Sequence, residues 1–365
     1  MSNSINIQGI ADKLENMNGT ITMCADGFID EVWEIVDSRA SVSDFKLLQQ
    51  MKQFSQRIDS AGTGGMGIEL IKKRRAFGGL TANIGHAVAK LGVDTTMIGL
   101  YGKDKLDPLF EPLADISTLI SLGDSAITHV LEFTDGKILM TDMEAMLTMT
   151  WERIVNALGM DKLVGLFQKS DIIGVGYWSL LPAFDDIVEQ ICTCLPKDGK
   201  TRRFFFDFAD VRKRDEASLV SSLQLLKKHN ESFPMTLSVN EHEAVVLFEL
   251  YGETVDDKGK SLTEKLEFIR EQIGLDELVV HTPQYAAASK SDGTALIPQS
   301  HIEKPVRTAG AGDTFNGGYI AGILAGLDIA ERLYMANATV TYFLNNGVPP
   351  NKSGLTNTLY DIINQ

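Results

Sequence analysis

The chain has 365 residues, 44% of them hydrophobic, with 34 basic and 49 acidic side chains and a formal net charge of −15. This is the profile of a folded protein with ample core material, and its overall field repels nucleic acid and anionic membrane surfaces, so an anionic ligand needs a locally built site. The cysteines, Cys24, Cys192 and Cys194, are an odd number with one Cys-x-Cys pair and no second pair to complete a tetrahedral zinc site, and reduced structural thiols are expected.

Residues 1–18 mix acids and amides and lack the basic-then-apolar order of a signal peptide. The apolar stretch 317–327 falls short of the roughly 20 residues that span a bilayer. No membrane partner is expected, and the expected location is the cytoplasm. Strand-like apolar runs recur at 20–24, 96–100, 171–175, 203–206, 236–239 and 278–281. Stretches with apolar residues every three or four positions lie at 183–194, 217–228, 262–273, 313–325 and 329–345. Such alternation predicts an α/β protein with a mostly parallel sheet covered by helices on both faces.

Two sections stand apart from that alternation. Residues 127–133 and 137–141 flank Thr134-Asp135-Gly136, a good hairpin turn. Residues 38–75 read as an insertion: a helical part at 45–58, a glycine cluster, then the strand-like 68–72. Together they predict a small β lid, with segments at about 28–37, 66–76 and 125–142, on a single domain spanning 1–365.

Two glycine motifs fail on context. Gly62-Thr63-Gly64-Gly65-Met66-Gly67 has the spacing of a dinucleotide fingerprint, but polar residues precede it and no helix opens after it, so a surface loop is predicted. Gly259-Lys260-Ser261 resembles the end of a phosphate-binding P-loop, but its preceding glycine, Gly252, is too far away, and a turn before the helix at 262–273 is predicted.

The informative segment is Thr308-Ala309-Gly310-Ala311-Gly312-Asp313, between the strand-like 304–307 and an apolar helix. Small residues let a ligand approach the backbone of Gly310, Ala311 and Gly312. The free amides and dipole of the helix start favour an anion. Asp313 then sits beside the anion, kept ionised by the dipole as a weak base, an arrangement suited to phosphoryl transfer. Asp is also a common helix cap, and taken alone that reading prevails. Gly318, Gly322 and Gly326, spaced by four, predict a close helix-helix contact.

This segment, with Gly78-Gly79-Leu80-Thr81-Ala82-Asn83 far upstream, resembles the two signatures of the ribokinase-like, PfkB-type carbohydrate kinases. Asp26-Gly27-Phe28-Ile29-Asp30, Asn240-Glu241-His242-Glu243 and Asn337 extend the similarity over nearly the whole chain. The resemblance implies a three-layer α/β/α sandwich with a β lid and transfer from ATP, with Mg2+ and a monovalent cation as accompanying ions, to a hydroxyl of a sugar. It also implies an adenosine-like nucleoside kinase as the alternative enzyme, and a homodimer through the lid. It assigns Asp313 as base, the amides of Gly310–Asp313 as anion hole, Asp30, Gly78, Gly79 and Asn83 to the acceptor, Asn240, Thr282, Thr308 and Asn337 to the nucleotide, and Glu243 to the metal.

Two positions depart from the pattern. Arg307 replaces the first signature aspartate, placing a cation near the phosphate channel, where it pairs either with a phosphate or within the protein. After the strand at 278–281 the family's glycine-rich nucleotide loop is replaced by His281-Thr282-Pro283-Gln284-Tyr285-Ala286. These departures keep open a catalytically weak, metabolite-binding relative as a third reading.

Overall fold

The computed structural model describes residues 5–254 and 261–363. Its strands are β1 (Thr20–Cys24), β2 (Phe28–Arg39), β3 (Phe45–Leu47), β4 (Glu69–Gly78), β5 (Asp94–Gly99), β6 (Thr118–Ser121), β7 (Ala126–Phe133), β8 (Gly136–Thr141), β9 (Ile172–Val175), β10 (Arg203–Asp207), β11 (Met235–Asn240), β12 (Glu277–His281), β13 (Tyr285–Lys290) and β14 (Gly293–Pro298). Nine of them form one sheet in the order β14-β13-β12-β11-β10-β9-β1-β5-β6. All neighbours from β12 to β6 run parallel, and β13 and β14 add an antiparallel edge.

The strand sequences explain why this sheet is the central layer. Phe204, Phe205 and Phe206 are all buried, with Phe204 and Phe206 in one apolar cluster and Phe205 in another on the opposite face. Leu278, Val279 and Val280 divide the same way. Alternate side chains point to opposite faces, so continuously apolar strands need helices on both. The helices Phe184–Cys194, Glu216–Asn230, Glu241–Leu250 and Leu262–Ile273 supply one layer, and Leu80–Lys90, Ala311–Leu324 and Ile329–Asn346 the other. The α/β/α sandwich expected from alternation is the architecture found.

The smaller sheet has the order β3-β2-β7-β8, with β4 on the other edge of β2. The predicted hairpin is β7–β8, paired from Thr128↔Thr141 to Phe133↔Gly136. In the insertion the helix begins later than its periodicity suggests. Residues 45–47 pair with the end of β2, where the Arg39 guanidinium lies 4.6 Å from the Phe45 ring, and the helix is Met51–Ser60. The glycine cluster is an open turn, with space around Gly62, Gly65 and Gly67.

Other expectations are corrected. Residues 304–307 form no strand; Val306 instead donates its amide to the Leu344 carbonyl. A β-carbon on Gly318 would strike the Thr339 side chain and one on Gly322 would meet Arg332, so these glycines admit the neighbouring helix as predicted. Gly326 does not belong to that stripe: it lies beyond the helix end at φ +66°, where an added β-carbon would meet nothing within 4 Å. Gly259 and Lys260 lie outside the described residues, and Ser261 caps the helix Leu262–Ile273. All three cysteines are unpaired thiols. No helix among the described residues is long and apolar enough to cross a membrane.

Candidate active site

The helix Ala311–Leu324 begins where its glycines allow a sharp entry. Gly310 is its N-cap at φ +86°, a left-handed conformation open to glycine. The Ala311 amide is taken by the Thr308 carbonyl and the Thr314 amide by the Gly310 carbonyl. Among the described residues the N–H groups of Gly310, Gly312 and Asp313 make no hydrogen bond. The sequence-derived anion hole is therefore narrowed by one donor, Ala311.

Asp313, the third residue of the helix, is 6% exposed. Its Oδ1 accepts from the Tyr177 hydroxyl at 2.7 Å, and its Oδ2 accepts from Asn83 Nδ2 at 2.7 Å. Burial, then the neighbouring charge of Asp207, push its pKa up to about 8. The Tyr177 and Asn83 hydrogen bonds oppose this, and Asp26 adds to it. The helix dipole expected to keep this carboxylate ionised is opposed by burial and by the neighbouring acids Asp207 and Asp26. A base poised near neutrality suits proton transfer at working pH better than an ordinary aspartate does.

Its surroundings come from strand ends that no sequence motif joined. Asp207 ends β10, accepts from the Ala209 amide and from Asn316 Nδ2 at 2.9 Å, and is pushed up to about 6, chiefly by burial. Asn316 in turn accepts from the Ser238 hydroxyl. Tyr177 follows β9, and Asp26 follows β1. Sequence reading missed Tyr177, Asp207 and Asn316 as site residues. The available signal was positional, since ligands of parallel α/β sheets gather beyond the carboxyl ends of the strands.

Tyr177→Phe tests this environment. Its hydroxyl stabilises the charged carboxylate, so removing it raises the Asp313 pKa further and shifts the rising limb of the kcat/KM profile toward alkaline pH. Turnover at pH 7 should fall roughly threefold to tenfold and recover at pH 9.

The residues that the resemblance assigns to the acceptor lie where the smaller sheet joins the helix Leu80–Lys90. Gly78 ends β4, and a β-carbon there would lie 3.2 Å from Asp30 Oδ2 on β2. Gly79, at φ +94°, is packed against Phe28 and Asp26 and opens the helix Leu80–Lys90. Asp26 caps that helix, accepting from the Leu80 and Thr81 amides. Its buried place thus belongs to the helix start that delivers Asn83. Asp30 is pushed up by burial and drawn down by Lys137, Arg307 and Arg74. Of these residues Asn83 holds the Asp313 carboxylate directly, while Gly78 lies against Asp30 and Gly79 against Asp26.

On the other side of the helix start lies a cavity of about 560 Å³, whose walls include Asn240, His281, Thr282, Thr308, Gly312 and Phe315. The loop lacking glycines is a tight turn: Thr282 Oγ1 accepts from the Gln284 and Tyr285 amides, and Tyr285 opens β13. A threonine hydroxyl provides there the turn geometry that glycine provides elsewhere. Thr282 thus reaches the cavity with its hydroxyl already engaged. Asn337 does not line this cavity; its carboxamide accepts from the Ser300 amide and donates to the Pro298 carbonyl, tying down the chain after β14. Asn240 and Glu243 form a capping box at the start of Glu241–Leu250. Glu243 is buried, and burial with the charges of Asp207 and Asp210 pushes its pKa up. Among the described residues no group of three or more His, Cys, Asp or Glu side chains is placed to hold a metal ion.

Gly312 stands between the cavity and the base, and a β-carbon there would lie 3.1 Å from His281 Cε1. Gly312→Val should therefore raise the KM for the donor at least about tenfold, with the KM for the acceptor changed little, as initial rates at varied donor and acceptor would show.

A family model described as prokaryotic ketohexokinase matches residues 9–362. A ketohexokinase of Haloferax volcanii is 26% identical over 338 residues, covering 91% of this chain and 88% of that protein. A ribokinase of Bacillus subtilis is 35% identical over 113 residues, 31% of this chain. Among solved structures, Arabidopsis thaliana ribokinase complexed with ribose and ATP superposes with a TM-score of 0.63 at 17% identity, covering 93% of this chain and 98% of that one. A nucleoside kinase of Methanocaldococcus jannaschii superposes at 0.62 and 13% identity, covering 94% and 99%. At these identities the structures speak for the fold. The chain belongs to the prokaryotic ketohexokinase family, and with it to the ribokinase-like carbohydrate kinases.

Proposed function

We propose that this protein transfers the terminal phosphoryl group of ATP to a hydroxyl of a ketohexose, with Asp313 as general base. The observation that carries this is the buried Asp313 carboxyl, held by Tyr177 and Asn83 between the 560 Å³ cavity and the acceptor-side cluster of Gly78, Gly79 and Asp30. The ketohexose is suggested by the Haloferax volcanii relative.

In this reading the cavity holds the nucleotide, and the unpartnered amides of Gly310, Gly312 and Asp313 face the phosphate being transferred. ATP supplies the phosphoryl group and the leaving group. Asp30 and Asn83 orient the sugar by hydrogen bonds to its hydroxyls, and Asp313 takes the proton of the attacking one. Mg2+ needs one or two carboxylates besides phosphate oxygens and water, and Glu243 does not fit as a direct ligand, since it is buried, both its oxygens are engaged by Asn240 and it does not line the cavity. Among the roles first assigned to the nucleotide, that of Asn337 becomes indirect support through the segment after Pro298. The smaller sheet, carrying Asp30 and Gly78, acts as the lid over the acceptor.

The test is an assay of ADP release with Mg-ATP across ketohexoses, aldoses and nucleosides, in the presence and absence of K+. Turnover is expected with a ketohexose. Turnover confined to nucleosides would instead make the chain a nucleoside kinase. Thermal stabilisation by a sugar with no turnover on any acceptor would identify a metabolite-binding relative.

A further inference from the structure

Arg307 lies immediately before the anion-binding helix start. It is partly buried, its Nε donates to the Ala309 carbonyl at 2.9 Å, and its guanidinium carbon lies 5.4 Å from the centre of the Phe343 ring. These two contacts fix the plane of the side chain. Neither neutralises it: among the described residues Arg307 has no carboxylate within ion-pair distance, and its Nη groups have no hydrogen-bond partner. Two other half-buried arginines, Arg153 and Arg214, also lack a carboxylate partner, but each donates from its Nη groups to backbone carbonyls, whereas the Nη groups of Arg307 are left free. The carboxylates whose charge it feels are Asp30 and Asp313, one on the acceptor side and one the proposed base, while Arg74 repels it.

We infer that Arg307 is a catalytic residue whose free Nη groups bind the oxygens of the phosphoryl group in flight. The inference rests on the kinase reading of the Asp313 site. The acceptor oxygen forms its bond to phosphorus as the bond from phosphorus to the bridging oxygen of ATP breaks. ADP departs with that electron pair, and the acceptor proton passes to the Asp313 carboxylate. Negative charge shifts across the transferring group during this exchange. A planar guanidinium already oriented by Ala309 and Phe343 meets it with two parallel N–H donors, a geometry that a lysine ammonium does not reproduce. The amides of Gly310, Gly312 and Asp313 and the Arg307 guanidinium then supply donors to the same group from the helix start and from the chain just before it.

The experiment compares Arg307→Met, Arg307→Lys and Arg307→Ala with the wild type, measuring kcat and both KM values, with melting temperatures in parallel. Arg307→Met should lose about a hundred- to a thousandfold in kcat with each KM within roughly threefold, because the contact is made mainly in the transition state. Arg307→Lys should recover only part of this loss, and added ethylguanidinium should raise the turnover of Arg307→Ala, a rescue that a purely structural role would not give. The inference is overturned if Arg307→Met turns over at the wild-type rate, if its loss lies wholly in the KM for ATP, or if ethylguanidinium leaves Arg307→Ala unchanged. A wild type that releases ADP with no acceptor in the panel would instead overturn the kinase reading itself.

Discussion

Asp313→Asn should reduce kcat about a hundred- to ten-thousandfold while leaving ligand binding in place, because the amide keeps the shape of the side chain and loses the proton acceptor. The same substitution should make the protein more stable in alkaline solution. The folded-state pKa near 8 lies above the ordinary value of 3.8, so the folded protein holds a proton that the unfolded chain releases between those values. Asp313 therefore destabilises the wild type progressively as pH rises through that window, with the full effect reached above about pH 8. The variant lacks this titration. At pH 5 the two proteins should melt within a degree or so of each other, and at pH 9 the variant should be more stable by roughly 1–3 kcal/mol, about 1–4 °C in Tm. Thermal melts across that pH range, with kinetics on the same samples, would check both halves. A variant that loses turnover but gains no alkaline stability would show that the folded-state pKa of Asp313 is not raised.

The largest effect on stability is expected at Glu277, far from the chemistry. Glu277 is fully buried at the start of β12. Its Oε1 accepts from the Tyr319 hydroxyl at 2.6 Å and from Arg332 at 2.8 Å, and its Oε2 meets Arg203 at 3.4 Å. Tyr319 belongs to the Asp313 helix, Arg332 to the helix Ile329–Asn346 and Arg203 to β10. One carboxylate thus links the central sheet to two helices of one layer. Glu277→Leu should destabilise by about 3–5 kcal/mol, because it leaves the largely covered Arg332 without its counter-ion. For a chain of this length that is about 4–6 °C in Tm. Adding Arg332→Met should recover much of the loss, since both members of that ion pair are then gone and Arg203 keeps Asp276 at 2.6 Å. Denaturation midpoints of the two single variants and the double variant would give the coupling.

The legible part of the fold was the part governed by local periodicity. Run 20–24 is β1 as read, and the helix Leu262–Ile273 matches its apolar spacing end to end. Strands β13 and β14 were not read from the sequence. Alanine-rich Tyr285–Lys290 lacks the β-branched run that marks a strand, and it is held by pairing to β12 and β14 on both sides. Residues 45–47 carry a helical spacing but pair with β2, where tertiary contact overrode propensity.

The sequence by itself marked the candidate site: small residues before a carboxylate at the mouth of an apolar helix, with a second glycine motif far upstream whose Asn83 meets that carboxylate. It also determined the layer architecture, because the period of the apolar residues dictates which faces must be buried. Only the tertiary structure decided the state of Asp313. Its pKa depends on burial, on Asp207 from β10 and on Tyr177 after β9, groups separated from it by long stretches of chain and brought together by parallel strands ending at one edge. Charge interactions act through space and strengthen as water is excluded, so a helix dipole visible in the sequence is opposed by neighbours that the sequence does not place.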